Sequence, residues 1–191
     1  YWEIPAGNPT AEIGRWVKGP GKSFLSAIGK AIHGLPIIAE DLGLITPDVI
    51  ELRDFFHLPG MKILQFAFGS TPEDPFLPHN YPLNCVAYTG THDNDTSRGW
   101  YESAPEPEKD LCRRYLSSSG EQIHLDMIRE LWKSPAAFAI SPLQDFLGLG
   151  SESRMNYPGR ASGNWSWRYQ PQQINAELQR WVKELNFLYS R

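Results

Sequence analysis

The chain has 191 residues, 41% hydrophobic and 21% charged, which supplies a substantial core and excludes disorder as the overall state. Lys and Arg number 18 against 22 Asp and Glu, a net charge of −4, so no basic face exists to neutralise a run of phosphates and no nucleic-acid partner is expected. Cys85 and Cys112 have neither disulfide-framework nor zinc-site spacing, and with no apolar run near the ~20 residues that span a bilayer, no membrane partner is expected either.

From Tyr1 to Lys22 the chain is rich in Pro and Gly, without period, and reads as irregular. It has no initiating Met, basic n-region or h-region, so we expect it to begin inside a longer polypeptide. Gly19-Pro20-Gly21-Lys22-Ser23 imitates the end of a phosphate-binding loop, but Trp16 stands where the first glycine of that motif belongs, leaving a plain loop and helix start. Phe24, Leu25, Ile28 and Ile32 follow helical spacing, ended by Gly34 and Leu35-Pro36. The apolar run Pro36–Ala39 stops at Glu40 and Asp41 and predicts a buried parallel strand with acids at its C-terminal end. Thr46-Pro47-Asp48 is a helix start running to about His57, and Met61–Phe68 reads as the returning strand of a βαβ unit.

A Pro- and Asn-rich loop then leads to a predicted strand at Cys85–Tyr88, which ends in Thr89-Gly90-Thr91-His92-Asp93-Asn94-Asp95-Thr96. Helices are expected at Glu106–Leu116 and Glu121–Trp132, the second with Ile123, Met127, Ile128 and Leu131 on one face. Ala136–Ile140 is a fourth predicted strand, and about Gln172–Leu188 a final helix. Apolar, non-alternating strands joined by helices imply an α/β fold with a parallel sheet covered on both faces. A doubly wound sheet and a (β/α)8 barrel both fit. The barrel is preferred because strand ends carry acids and histidine and no Gly-rich dinucleotide loop occurs. Four strands make half of such a barrel, so residues 1–191 are expected to be part of one barrel domain.

Glu40, at a strand tip beside Ile38 and Leu42, is a candidate general acid partly shielded from water, with a structural carboxylate as the plainer alternative. Asp41 faces the other way on an extended chain and suits a helix cap or a salt bridge. Asp93 could hold a negative charge against a developing positive centre while His92 donates to a hydroxyl oxygen. The alternatives for this stretch are a divalent metal site from His92, Asp93 and Asp95, or a turn in which Asn94 and Asp95 bond their own backbone. The later segment Arg154–Trp167 mixes amides, guanidinium groups and indoles, which suits sugars through hydroxyl hydrogen bonds and ring faces, or else is a packed loop around Trp165 and Trp167.

Several stretches carry a more specific likeness: Ile38-Ala39-Glu40-Asp41-Leu42-Gly43, Leu58-Pro59-Gly60-Met61-Lys62, Gln65-Phe66-Ala67-Phe68, Pro78-His79-Asn80-Tyr81, Tyr88–Thr96 and Arg154-Met155-Asn156-Tyr157-Pro158-Gly159. Together they resemble the 4-alpha-glucanotransferases, or amylomaltases, essentially from end to end. The resemblance implies a (β/α)8 barrel, here its C-terminal half with about strands five to eight, and a retaining mechanism on an α-glucan or maltooligosaccharide without a cofactor or metal. It makes Glu40 the acid/base, Asp93 the transition-state stabiliser and His92 a donor-sugar contact. Asn94, Asn156 and Trp165 are taken as further substrate contacts, with Trp100 and Tyr101 as acceptor-side aromatics. The family's nucleophile lies in an Arg-x-Asp-His motif just before a Tyr-Trp-Glu-Ile-Pro stretch. This chain opens on that stretch and contains no such motif, so its expected partner is the missing N-terminal half of the same enzyme. A cytoplasmic location, with plastid as the alternative, follows from the resemblance. The rivals are a metal-dependent barrel hydrolase and a non-catalytic glucan-binding fragment.

Overall fold

The computed structural model describes residues 1–191, which fall into two units, Tyr1–Leu58 and Pro59–Arg191. In the first, the irregular opening contains a small antiparallel ribbon that the sequence does not announce. Strand β1 (Trp2–Glu3) pairs with β2 (Arg15–Trp16), placing Trp2 opposite Trp16 and Glu3 opposite Arg15. The indoles meet edge to face at 5.5 Å and Arg15 pairs with Glu3, so cross-strand side chains hold a ribbon too short to stand on backbone bonds alone. Helix α1 (Gly21–Ala31) and helix α2 (Pro47–Phe55) follow as predicted, the second with Thr46 at its N-cap and Pro47 at its first position.

The predicted strand at Pro36–Ala39 does not form. The segment has no regular structure and pairs with no strand, Ile38 is 47% exposed and Glu40 is exposed as well. A strand exists only through its ladder, and Pro36 removes one donor from this one. The expected βαβ unit therefore reduces to helix α2 and the strand after it. Asp41 makes the expected ion pair, to Arg53 of α2.

The second unit is built on a three-stranded parallel sheet: β3 (Gly60–Ile63), β4 (Cys85–Tyr88) and β5 (Phe138–Ile140), with β4 in the middle. Gly60 lies opposite Cys85, and Val86 opposite Phe138. Central β4 buries Cys85, Val86 and Ala87 in succession, the non-alternating pattern of a strand covered on both faces. β3 is shorter than predicted, because the chain winds into a 3₁₀ turn over Leu64–Gly69 that drives Leu64, Ala67 and Phe68 into the core.

Helices α3 (Ser97–Ser103), α4 (Glu106–Leu116), α5 (Ile123–Lys133) and, after β5, the short α6 (Leu143–Phe146) and α7 (Ala176–Tyr189) complete the unit; the expected cover on both faces is met at β4 but not at β5, where Phe138 is 60% and Ile140 42% exposed. α5 buries Ile123, Met127, Ile128 and Leu131, the face read from sequence, against Leu64, Phe68, Cys112 and Leu185. α4 ends on Ser117 in the left-handed conformation, and Asn175 caps α7 by accepting from the Leu178 N–H. No helix is long and apolar enough to cross a membrane.

Candidate active site

The loop Gly90–Thr96, between β4 and α3, is shaped by its own polar residues. Asn94 Oδ1 accepts from the backbone N–H of Thr91 at 2.9 Å and from its hydroxyl at 2.8 Å. Asp95 turns inward: Oδ1 takes the Thr96 N–H, Oδ2 takes the Ser151 hydroxyl at 2.6 Å, and its carbonyl accepts from Gln65 Nε2 at 2.9 Å. Thr96 then caps α3 by accepting from the Gly99 N–H. Gly99 is required by this seam, since a Cβ there would collide with Ser151 Oγ and lie 2.8 Å from Asp95 Oδ1. With Asn94 and Asp95 committed to the turn, His92 and Asp93 project, their side chains 53% and 50% exposed.

Asp93 is held from three directions. Asn156 Nδ2 donates to Oδ1 at 2.6 Å, His92 Nε2 stands 3.3 Å from the same oxygen, and Arg154 donates to the Asp93 carbonyl at 2.6 Å. Arg154 also donates to the Asn156 carbonyl, so a single guanidinium fixes both partners of the carboxylate–amide pair. Tyr157 takes the faces of Arg154 and Arg160 at 4.5 and 4.0 Å. Trp165 lies 5.0 Å from the His92 ring at a 38° tilt. It does so from a left-handed backbone (φ 59°), uncommon for a bulky residue and costing on the order of 1 kcal/mol or more, with its N–H donating to the Met155 carbonyl. A cavity of about 220 Å³ opens here, lined by Thr91, His92, Asn94, Asp95, Thr96, Pro142, Gln144, Arg154, Met155 and Trp165.

Beneath the loop lies Asp145 of α6, 1% exposed. It accepts from Thr89 Oγ1 at 2.6 Å, the Ser97 N–H at 2.7 Å and Ser97 Oγ at 2.7 Å. Burial pushes its carboxyl above the usual range, while the bonds from Thr89 and Ser97 act in the opposite direction.

The structure thus brings His92, Asp93, Asn156 and Trp165 together and gives Asn94 a turn-forming carbonyl on the cavity wall. Glu40 belongs to the Tyr1–Leu58 unit and is exposed, so the shielding expected from a strand tip between Ile38 and Leu42 is not provided. Trp100 packs against the core beside Phe68, 5.5 Å between rings, and Tyr101 accepts from Arg113. These contacts give both a packing role. No group of three or more His, Cys, Asp or Glu side chains converges as metal ligands; Asp95, needed for the metal alternative, is spent on Ser151 and Thr96. Sequence reasoning missed Gln65, Asp145 and Ser151. Each acts across 30 to 56 residues of chain, and no local motif reports such distances.

Comparison with known proteins shows which family the chain resembles. A family model described as 4-alpha-glucanotransferase matches residues 1–175. A 4-alpha-glucanotransferase of Synechocystis is 53% identical over 194 residues, covering 100% of this chain and 38% of its own length. One of Thermus thermophilus is 53% identical over 185 residues, 93% of this chain and 37% of its own. A potato relative (Solanum tuberosum), 4-alpha-glucanotransferase, chloroplastic/amyloplastic, is 52% identical over 169 residues, covering 88% of this chain and 29% of its own. The amylomaltase from Streptococcus agalactiae, solved in complex with acarbose, superposes with a TM-score of 0.95 at 35% identity, over 100% of this chain and 39% of that one. The chain therefore spans under two fifths of the length of these relatives, and by the extent of the match it belongs to the 4-alpha-glucanotransferase family.

Proposed function

We propose that this chain is the C-terminal part of a retaining 4-alpha-glucanotransferase that moves α-1,4-glucan segments between maltooligosaccharides. In this reading residues 1–191 form the second half of one (β/α)8 catalytic barrel. One family model running across Leu58, where the two units divide, supports this. The single observation that carries the reading is the Asp93 carboxylate, braced by Asn156 and His92 with its backbone fixed by Arg154, at the end of a parallel strand beside a polar and aromatic cavity.

Glu40 protonates the oxygen of the departing glucan while an aspartate from outside this chain attacks the anomeric carbon and forms a glycosyl-enzyme. Glu40 then takes the proton from the 4-hydroxyl of an acceptor glucan, which displaces the enzyme carboxylate. Asp93 faces the positive charge that develops on the ring, and being braced beforehand it needs little reorganisation at that moment. His92 and Asn94 address sugar hydroxyls, and Trp165 offers a flat face to the sugar C–H groups. Asn156 acts chiefly by holding Asp93, and an acceptor hydroxyl wins over water only where the site excludes solvent. A reducing compartment, cytoplasm or plastid, suits buried Cys85 and Cys112, whose thiols form no disulfide; burial pushes Cys112 up to about 12.

The test is maltotriose disproportionation by an enzyme of the relatives' full length carrying this sequence. Longer oligomers are expected, Glu40→Gln and Asp93→Asn each lowering kcat by about 10²-fold or more, and the 191-residue chain alone yielding none. Wild-type turnover in either variant overturns the assignment. Activity lost to a chelator and restored by a divalent metal would favour the hydrolase rival instead.

A further inference from the structure

Thr89 ends the strand stem of the candidate loop and Ser97 begins the helix stem, and one buried carboxylate binds both. Asp145 Oδ2 takes the Thr89 and Ser97 hydroxyls, and Oδ1 takes the Ser97 N–H. Ser141, 3.2 Å from Thr89 Oγ1, extends the cluster toward the end of β5. A carboxylate with 1% exposure, met by three donors and no cation among the groups it bonds, is a costly choice for a core position. A neutral apolar residue would fill the volume without desolvating a charge. What the carboxylate supplies is geometry: two acceptor atoms on one rigid fork, fixing the separation of the two stems.

We propose that Asp145 is a positioning residue for the reaction, fastening both stems of the Gly90–Thr96 loop so that the Asp93 carboxylate stands where charge develops. The inference rests on the reading of Asp93 as stabiliser. Asn156 and Arg154 hold Asp93 itself, and Asp145 holds the two stems of the loop that carries it. Without it the stems can spread, and a shift of about 1 Å at a reacting centre costs on the order of 10²-fold in rate.

The experiment compares Asp145→Ala, Asp145→Asn, Asp93→Asn and the Asp145→Ala/Asp93→Asn double variant in the full-length enzyme, reading kcat and KM for maltotriose disproportionation. Asparagine keeps the fork and lets both hydroxyls rotate to suit it, so it is expected to retain at least about a third of wild-type kcat. Alanine is expected to lower kcat about 10²-fold with KM within about threefold, and to add little once Asp93 is already asparagine. Wild-type kcat in Asp145→Ala, a loss confined to KM, or losses that multiply in the double variant would each overturn the inference. If Asp145→Ala does not fold, Thr89→Val and Ser97→Ala each remove one hydroxyl bond and are expected to lower kcat by severalfold; unchanged kcat in both overturns it equally. Unchanged turnover in Asp93→Asn would instead overturn the functional reading beneath it.

Discussion

The two units differ most in what they bury. Between Tyr1 and Leu58 only Leu58 itself is buried, while Trp16, Phe24, Ile32, Leu44 and Phe55 are all exposed. From Pro59 onward a continuous core runs from Leu64 through β4 and α5 to Leu185. Both units carry a proposed catalytic carboxylate, and the contrast separates two ways of supporting one. Asp93 is held by partners of its own unit, set on a packed sheet, whereas Glu40 rests on an irregular segment outside any sheet, whose nearest fixed point in sequence is the Asp41–Arg53 ion pair. Local stability follows buried apolar contact, so the first unit is the less stable of the two.

The largest expected effect that tests this contrast is a pair of truncations in the 191-residue chain. Leu131→Ala, at a fully buried position of α5, should cost about 2–5 kcal/mol in denaturant unfolding, and Phe24→Ala, at a position 55% exposed, less than about 0.5 kcal/mol. Equal costs would erase the difference between the units. A smaller effect separates two threonine N-caps. Thr96 accepts from the Gly99 N–H, whereas the Thr46 side chain makes no cap bond and donates to Asp48 instead. Thr96→Ala should therefore cost about 1 kcal/mol and Thr46→Ala only a few tenths, read from unfolding midpoints.

The smallest effect is on pH. Burial, joined by the positive charge of Arg98 and opposed by Asp126, pushes the His124 imidazole below its ordinary value of 6.5. The fold then favours neutral His124, so in the window just below 6.5 the unfolded chain binds more protons and stability falls as pH falls. His124→Gln should flatten that slope in unfolding curves taken from neutral pH down to about pH 5; an unchanged slope would remove His124 from the account.

What was legible in the sequence follows the range of the interactions responsible. α4, α5 and α7 carry their own periodicity, and β4 its apolar run, so local sequence announces them. α3 does not, because Ser97-Arg98-Gly99-Trp100-Tyr101-Glu102-Ser103 has poor helix formers and no apolar period, and it is started by the Thr96 cap and by Asp145. Pro36–Ala39 fails the other way, with strand composition but no neighbour to pair with. In the site, His92 and Asp93 stand out as polar residues after an apolar run. Asp145 reads in sequence as an ordinary acid in Leu143-Gln144-Asp145-Phe146, and only the folded chain reveals the three donors around it.

Gly99 also sets a tight joint directly behind Asp95, one of the residues that line the cavity. Where helix α3 meets Asp95 and Ser151, the clearance is narrower than a single methyl group, so any side chain introduced at that joint must displace the Ser151 hydroxyl and the Asp95 carboxylate that bond one another there. Trp165, on the cavity lining, is by contrast more than half exposed. Enlarging position 99 is accordingly expected to loosen the loop that carries Asp93, whereas exchanging the exposed Trp165 ring leaves that joint untouched.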